Sequence, residues 1–267
     1  MTKQEEIKQL KAEQDAVILA HYYVDPQVQE LADYIGDSFY LSKVAAGLEN
    51  RTLVFCGVSF MGESGKLLSP DKAVLMPDAQ ADCPMAHMVT KEEVEQYRKE
   101  YPGLAVVCYI NSTAEIKSWS DVCVTSANAV QIVRNLPNQD ILFIPDKNLG
   151  RYVASQVPEK HVMLVKGCCP VHDQMSPKEV SGLKKIHPNA LVLAHPECNA
   201  QVLELADYIG STTGILKYAA GSTSREFIIC TEIGVRHELE QQNPDKQFYF
   251  PDTEPICRDM KKITLDK

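Results

Sequence analysis

One six-residue segment occurs twice in this chain of 267 residues, and it limits the possible folds more than any other feature. Leu-Ala-Asp-Tyr-Ile-Gly stands at residues 31–36 and again at residues 205–210, an offset of 174 residues. The same offset aligns residues 19–21, Leu-Ala-His, with residues 193–195, which have the same three letters. Because further matches continue without a gap over more than sixty residues, they predict a duplicated structural unit.

A third and weaker copy lies between these two. At an offset of 88 residues from the first copy, Asp121 corresponds to Asp33. The middle copy then loses two residues, so that Cys169 follows Cys83 by 86 residues and precedes Cys257 by 88 residues. The chain therefore reads as three related units in a row.

Each copy has the pattern of an α/β unit. Short apolar runs predict buried strands, and amphipathic segments after them, such as residues 28–35 and 202–209, predict helices. The first strand of each unit is predicted at Ala16–Ala20, Ala105–Ile110 and Ala190–Ala194. Strands that alternate with helices predict parallel sheets with helices on their faces.

The predicted fold class is therefore α/β, with three homologous Rossmann-like α/β/α units in a pseudo-threefold arrangement around a central active site. We place the units at residues 1–85, which include an N-terminal helix, 86–172 and 173–267. An eight-stranded α/β barrel is the alternative fold, and it is disfavoured because the sequence repeats in threes.

Charge and hydropathy exclude several classes of partner. Asp and Glu number 36 against 27 Lys and Arg, a net charge of −9, which argues against nucleic acid or an anionic membrane surface as the main partner. No apolar run approaches the roughly 18 residues of a membrane-spanning helix, and the charged amphipathic start is unlike a signal peptide. We therefore expect a cytoplasmic protein, in which the nine cysteines do not form a disulfide framework.

Three of the cysteines are predicted to bind a metal. Cys83, Cys169 and Cys257 follow strands in polar or Pro-containing loops at equivalent points of the three copies. Three thiolates on a threefold axis can hold a [4Fe–4S] cluster and leave its fourth iron open as a Lewis acid, and catalytic zinc with three Cys ligands is the alternative. Free cysteines are most often simply buried, and this is the expectation for the apolar positions Cys56, Cys108, Cys123 and Cys230.

Polar residues also stand at the matched strand ends, where ligands of parallel α/β folds bind. A lone histidine in such a place is more often structural, but two in matched copies, one near Tyr and one near Glu, favour chemistry. Imidazole, phenol and carboxylate groups can move protons near neutral pH. The residues concerned are His21, Tyr23, Tyr109, Asn111, His195 and Glu197.

Eight segments, in order along almost the whole chain, form a specific pattern: Ile18–Tyr23, Gly36–Ser38, Phe55–Glu63, Gly167–Asp173, His195–Glu197, Ala206–Thr212, Thr231–Gly234 and Cys257–Thr264. In this order they resemble the quinolinate synthase family. The resemblance implies condensation of iminosuccinate with dihydroxyacetone phosphate to quinolinate, phosphate and water in de novo NAD biosynthesis. It also implies an aspartate-oxidising enzyme as a functional partner.

The resemblance further implies a [4Fe–4S] cluster on Cys83, Cys169 and Cys257, and the family pattern selects Cys169 over its neighbour Cys168. We assign Ser38, Ser126 and Thr212, at predicted helix starts, to the carboxylate and phosphate groups of the substrates, and plain N-capping is the alternative. The expected catalytic residues are His21, Tyr23, Tyr109, His195 and Glu197. The expected substrate-binding residues are His21, Ser38, Tyr109, Ile110, Asn111, Ser126, His172, His195, Pro196, Glu197 and Thr212.

Two other functions fit the same cysteines. One is a hydrolase with zinc on the three thiolates, and the other is an iron–sulfur redox sensor or cluster carrier without catalysis. The sensor hypothesis does not explain why polar residues stand at the matched strand ends.

Overall fold

The computed structural model describes residues 2–253 and 255–267. The chain divides into two compact units, one formed by residues 1–83 with 257–267 and the other by residues 84–256. The described residues contain three four-stranded sheets in which every strand pair is parallel. The α/β class with three Rossmann-like units is therefore confirmed. In the described part of the chain, no helix has the length and hydropathy that a membrane-spanning helix requires.

The first sheet lies in the unit of residues 1–83 and 257–267, with strand order β2-β1-β3-β4. Its first helix begins with a capping box, in which Thr2 accepts a hydrogen bond from the Glu5 N–H and the Glu5 side chain bonds back to Thr2. The elements are α1 (Lys3–Glu13), β1 (Ala16–His21), α2 (Pro26–Gln29), β2 (Tyr34–Gly36), α3 (Ser38–Gly47), β3 (Thr52–Cys56), α4 (Ser59–Leu68), β4 (Ala73–Leu75) and a 3₁₀ turn (Met260–Lys262).

The second sheet has the equivalent order β6-β5-β7-β8. All five residues of its central strand β5 are buried, as expected for an apolar parallel strand. The elements are a 3₁₀ turn (Pro84–His87), α5 (Lys91–Glu100), β5 (Ala105–Tyr109), α6 (Ala114–Ser118), β6 (Val122–Val124), α7 (Ala129–Asn135), β7 (Asp140–Ile144), α8 (Lys147–Gln156), β8 (His161–Leu164) and α9 (Pro170–Asp173).

The third sheet repeats this order as β10-β9-β11-β12. The second and third sheets both lie in the unit of residues 84–256. The elements are α10 (Pro177–Ile186), β9 (Leu191–Ala194), α11 (Ala200–Leu203), β10 (Tyr208–Ile209), α12 (Thr212–Gly221), β11 (Glu226–Cys230), α13 (Val235–Gln242) and β12 (Gln247–Tyr249).

The helices predicted at residues 28–35 and 202–209 are wrong beyond their first two residues. Each is only four residues long, and the chain then forms a short edge strand, β2 or β10. The cause is an aspartate between helix and strand. Asp33 donates its N–H to the Ile18 carbonyl and accepts the Ile18 N–H on its side chain, which draws the following residues alongside β1.

Two kinds of side-chain hydrogen bond recur in all three sheets. The aspartate carboxylate accepts a backbone N–H at 2.7–2.9 Å in the pairs Asp33–Ile18, Asp121–Val106 and Asp207–Val192. A lysine also donates to carbonyls at or just after a helix C-terminus in each repeat, namely Lys72 to Ala45, Lys160 to Leu136 and Lys246 to Ala219. The repeat therefore extends to individual hydrogen bonds, whereas the boundaries at residues 85/86 and 172/173 and the pseudo-threefold arrangement stay predictions.

Candidate functional site

The ends of the central strands supply the site in the unit of residues 84–256. Tyr109 is the last residue of β5, and His195 and Glu197 follow β9 directly. His195 and Glu197 are each 3% exposed. Burying ionisable side chains costs free energy unless they are paired, so their partners decide what this site can do.

Glu197 is the centre of the site. Its Oε2 lies 2.8 Å from Nδ1 of His172 and 3.5 Å from Nδ1 of His195. Burial by itself would raise the pKa of Glu197, but the charges of the two histidines outweigh it and lower the pKa to about 2. Tyr109 lies near the same carboxylate and lowers its pKa further. Glu197 is therefore an anion held among proton-carrying groups.

His172 contacts three residues from different parts of the unit. Besides Glu197, its Nδ1 lies 3.2 Å from Sγ of Cys169, and its Nε2 lies 2.9 Å from Oγ1 of Thr231. His172 is only 2% exposed and lies on α9, the single turn that begins directly after Cys169. The structure thus brings the predicted residues His172, Cys169 and Glu197 together.

His195 is oriented by its own loop. The Glu197 N–H donates to Nδ1 of His195 at 3.3 Å, and Nε2 lies 3.3 Å from Oγ of Ser126. A ring nitrogen that accepts a hydrogen bond carries no proton, so in the neutral ring the proton is on Nε2 and is donated to Ser126. The His172 and His195 rings lie 4.8 Å apart.

Cys169, His172 and Glu197 could together hold a metal ion. One ligand atom from each lies within 4.8 Å of the others. A thiolate, an imidazole and a carboxylate are all donors that transition metals and zinc accept. The cysteine in this group is one of the three that the sequence predicts as metal ligands.

Asp146 is a buried functional candidate that the sequence analysis missed. Its Oδ2 accepts the Cys169 N–H at 2.9 Å, while its Oδ1 caps α8 by accepting the N–H groups of Asn148 and Leu149. Burial and the charge of Glu197 raise the pKa of Asp146 to about 7. The only signal in the sequence is an acidic residue soon after the buried strand β7.

Thr231 and Glu232 belong to one of the eight segments that carry the family resemblance, but the sequence indicates no role for either. Both follow β11 and are fully buried. Thr231 bonds to His172, and Glu232 accepts the Gly234 N–H at 2.6 Å. Asn148 was missed as well, and its side chain donates to the Glu197 carbonyl at 3.0 Å.

His21 and Tyr23 lie together at the end of β1, in the unit of residues 1–83 and 257–267. The Tyr23 N–H donates to Nδ1 of His21 at 3.2 Å, and the two rings meet edge to face with centroids 4.4 Å apart. Lys261 donates to the Tyr23 carbonyl at 2.6 Å. This contact connects the segment after Cys257 to the end of β1.

Cys83 and Cys257 lie in the same unit as His21, and both are partly exposed. Lys262 donates to the Gln80 carbonyl at 2.7 Å, so the segment that follows Cys257 lies beside the one that leads to Cys83. Cys169, also partly exposed, belongs to the unit of residues 84–256.

The three predicted anion-binding residues differ in position. Ser38 and Thr212 are the first residues of α3 and α12, but Asp37 and Ser211 provide the N-caps, so plain N-capping does not account for either. The prediction that Ser126 begins a helix is wrong, because α7 begins at Ala129. Ser126 lies in a turn and contacts His195 instead.

The remaining predicted residues surround the same strand ends. Ile110 and Asn111 follow β5, and Pro196 is buried between His195 and Glu197. Five buried side-chain atoms of the described residues have no hydrogen-bond partner, and two of them, Oδ1 of Asn111 and Oε1 of Glu197, belong to this site. Because such atoms are costly to leave unpaired, they indicate where a ligand with hydrogen-bond donors would bind.

Comparison with known proteins gives consistent matches along the chain. The family model described as quinolinate synthetase A protein matches residues 5–267. A protein of Clostridioides difficile (strain 630) named quinolinate synthase is 51% identical over 98% of this chain and 86% of its own length. Proteins of the same name are 54% identical in Fusobacterium nucleatum and 49% identical in Methanoregula boonei, over 98% of this chain and 87% and 86% of their own lengths.

Proposed function

This chain belongs to the quinolinate synthetase A family, and from that membership we propose that it acts as a quinolinate synthase of NAD biosynthesis. The proposed substrates are iminosuccinate and dihydroxyacetone phosphate, and the products are quinolinate, phosphate and water. The observation that carries the proposal is the buried group of Glu197, His172 and His195 beside Cys169. We also propose that the protein is cytoplasmic and is functionally linked to an aspartate-oxidising enzyme.

Both proposed substrates are anionic, and the N-termini of two helices are suited to bind their negative groups. Ser38 and Thr212 are each the first residue of a ten-residue helix, where N–H groups and the helix dipole favour anions. We assign these positions to the carboxylates and the phosphate. The unpaired Oδ1 of Asn111 suits a donor on the substrate, such as a hydroxyl or imine N–H.

The reaction requires several proton transfers. Joining the two substrates into an aromatic ring releases phosphate and water, so hydroxyl groups must be protonated as they leave and carbon-bound protons must be removed. An anionic Glu197 stabilises a protonated imidazole, so His195 beside it can accept a proton and return it. We assign the same kind of work to His21, Tyr23 and Tyr109 at the other strand ends.

The cysteines fit the proposed [4Fe–4S] cluster by their chemistry. Cys83, Cys169 and Cys257 are partly exposed, whereas burial raises the pKa of Cys56 and Cys230 to about 12, which disfavours the thiolates that metals need. Cys83, Cys169 and Cys257 would hold the cluster. When bound, its open iron supplies a Lewis acid for substrate oxygen atoms.

A second candidate function is a zinc-dependent hydrolase. It is favoured by one observation, the Cys169, His172 and Glu197 group, whose ligand atoms lie within 4.8 Å of one another without any contribution from Cys83 or Cys257. Zinc accepts all three donor types and in catalytic sites leaves one position for water.

Metal analysis separates the two candidates. Protein purified without oxygen should contain about four iron and four acid-labile sulfide per chain, and should form quinolinate from the two substrates. Cys169→Ala should lose most of the iron, while the control Cys168→Ala should keep it. Zinc without sulfide, or iron that is lost in Cys168→Ala but kept in Cys169→Ala, would contradict the proposed cluster site.

A further inference from the structure

Thr231 makes a hydrogen bond that the expected roles do not explain. It is the first residue after β11 and is fully buried, between the apolar end of that strand and Glu232. Its Oγ1 lies 2.9 Å from Nε2 of His172, a residue 59 positions earlier in the chain. A hydroxyl is costly to bury without a partner, so packing alone would favour valine, which has nearly the same shape.

The other nitrogen of the His172 ring faces the reactive groups. Nδ1 lies 2.8 Å from Oε2 of Glu197 and 3.2 Å from Sγ of Cys169. An imidazole ring is fixed in one orientation when both of its nitrogens have hydrogen-bond partners. Because the Thr231 hydroxyl occupies Nε2, the ring keeps Nδ1 directed at the Glu197 carboxylate.

We infer that Thr231 is a positioning residue that holds the His172 ring in place, with Nδ1 facing Glu197. Its role in turnover rests on the proposed function, since Glu197 and His172 belong to that site. Without the hydroxyl, Nε2 is buried without a hydrogen-bond partner, which is costly. The ring would then rotate towards another partner, and Nδ1 would move away from Glu197.

Three variants test this role by kinetics. Thr231→Val removes the hydroxyl and keeps the shape, so kcat should fall about tenfold to a hundredfold with KM changed less than about twofold. Thr231→Ser keeps the hydroxyl and should restore kcat to within about threefold. Thr52→Val is the matched control, because Thr52 is the first residue of β3 and therefore lies at the opposite end of the strand from the candidate site, and its kcat should not change.

Full activity of Thr231→Val would overturn the inference. So would an equal loss in Thr231→Ser and Thr231→Val, because that result would indicate a packing role for the methyl group. If Thr231→Val does not fold, Thr231→Ala takes its place with the same expected loss of kcat and the same contradicting results.

A crystal structure of Thr231→Val tests the positioning without any assay. The separation of His172 Nδ1 from Glu197 Oε2 should increase from 2.8 Å to beyond hydrogen-bond distance, about 3.5 Å. An unchanged separation would refute the inference. If the wild-type protein makes no quinolinate, the proposed function fails, but the movement of the His172 ring still decides whether Thr231 positions it.

Discussion

The loops after the first strands of the first and third repeats share a backbone hydrogen bond but carry different side chains. In both, the N–H two residues after a histidine donates to the histidine Nδ1, from Tyr23 to His21 at 3.2 Å and from Glu197 to His195 at 3.3 Å. The two loops therefore present their imidazoles in the same way.

The side chain that supplies this N–H differs between them. In the first repeat it is a phenol, which packs edge to face on His21. In the third repeat it is a buried carboxylate, whose pKa is lowered to about 2 and which contacts a second histidine, His172. The duplicated backbone therefore positions the reactive groups, while one side chain in each copy decides their charge.

The largest expected effect is at the charged strand end. Glu197→Gln keeps the size of the side chain but removes its charge, so kcat for quinolinate formation should fall about a hundredfold to ten-thousandfold. Tyr23→Phe removes one hydroxyl at the matched position of the first repeat and should lower kcat about threefold to tenfold. Steady-state kinetics of both variants checks the order, and a larger loss in Tyr23→Phe would reverse the comparison.

Removing the aspartate contact that the three repeats share should lower the stability of the protein by a similar amount in each repeat. Asp33→Ala, Asp121→Ala and Asp207→Ala each remove the carboxylate that accepts a strand N–H in one repeat. Each should lower the free energy of unfolding by about 1–3 kcal/mol, because the N–H loses its partner. Urea unfolding measures this, and a variant that matches the wild type would show that its repeat does not depend on the contact.

The smallest expected effect concerns a position where only the middle repeat has cysteines. Cys108 and Cys123 are paired residues on β5 and β6, where the other repeats have alanine and isoleucine. A hydrogen bond from Cys108 lowers the pKa of the exposed Cys123 to about 7. Since the thiolate is the reactive form, alkylation of Cys123 should rise with pH and be half-maximal near pH 7.

Mass spectrometry of alkylated peptides measures this midpoint. Cys108→Ala should move it up toward that of an ordinary thiol, while Cys56 and Cys230, whose pKa burial raises to about 12, should stay unmodified in the folded protein. A midpoint near that of an ordinary thiol with Cys108 in place would refute the prediction.

Much of the fold could be predicted from repetition and apolar runs. The strands predicted at Ala16–Ala20 and Ala105–Ile110 lie within one residue of β1 and β5, since a buried parallel strand requires a continuous apolar run. The edge strands β2 and β10 were missed, because a helix-like pattern at residues 28–35 and 202–209 does not show that an aspartate after the helix holds the chain beside the central strand.

Site residues at strand ends could be predicted from the sequence. Site residues whose role depends on a hydrogen-bond partner far away in the sequence could not. His195 and Glu197 are recognisable as polar residues after an apolar strand. Thr231 was missed because its role depends on His172, 59 residues away, and Asp146 because it binds the N–H of Cys169, 23 residues away. No local pattern contains either contact.

The three α/β units and the residues at their strand ends can be predicted from the sequence alone, because strand periodicity and repeats are local properties of the chain. Which charges meet in the unit of residues 84–256 depends on the fold. There, Glu197 is an anion because His172 and His195 are folded against it, and Asp146 has its pKa raised to about 7 because burial and Glu197 oppose its charge. The protonation of a buried group depends on its neighbours in space, and only the fold brings those neighbours together.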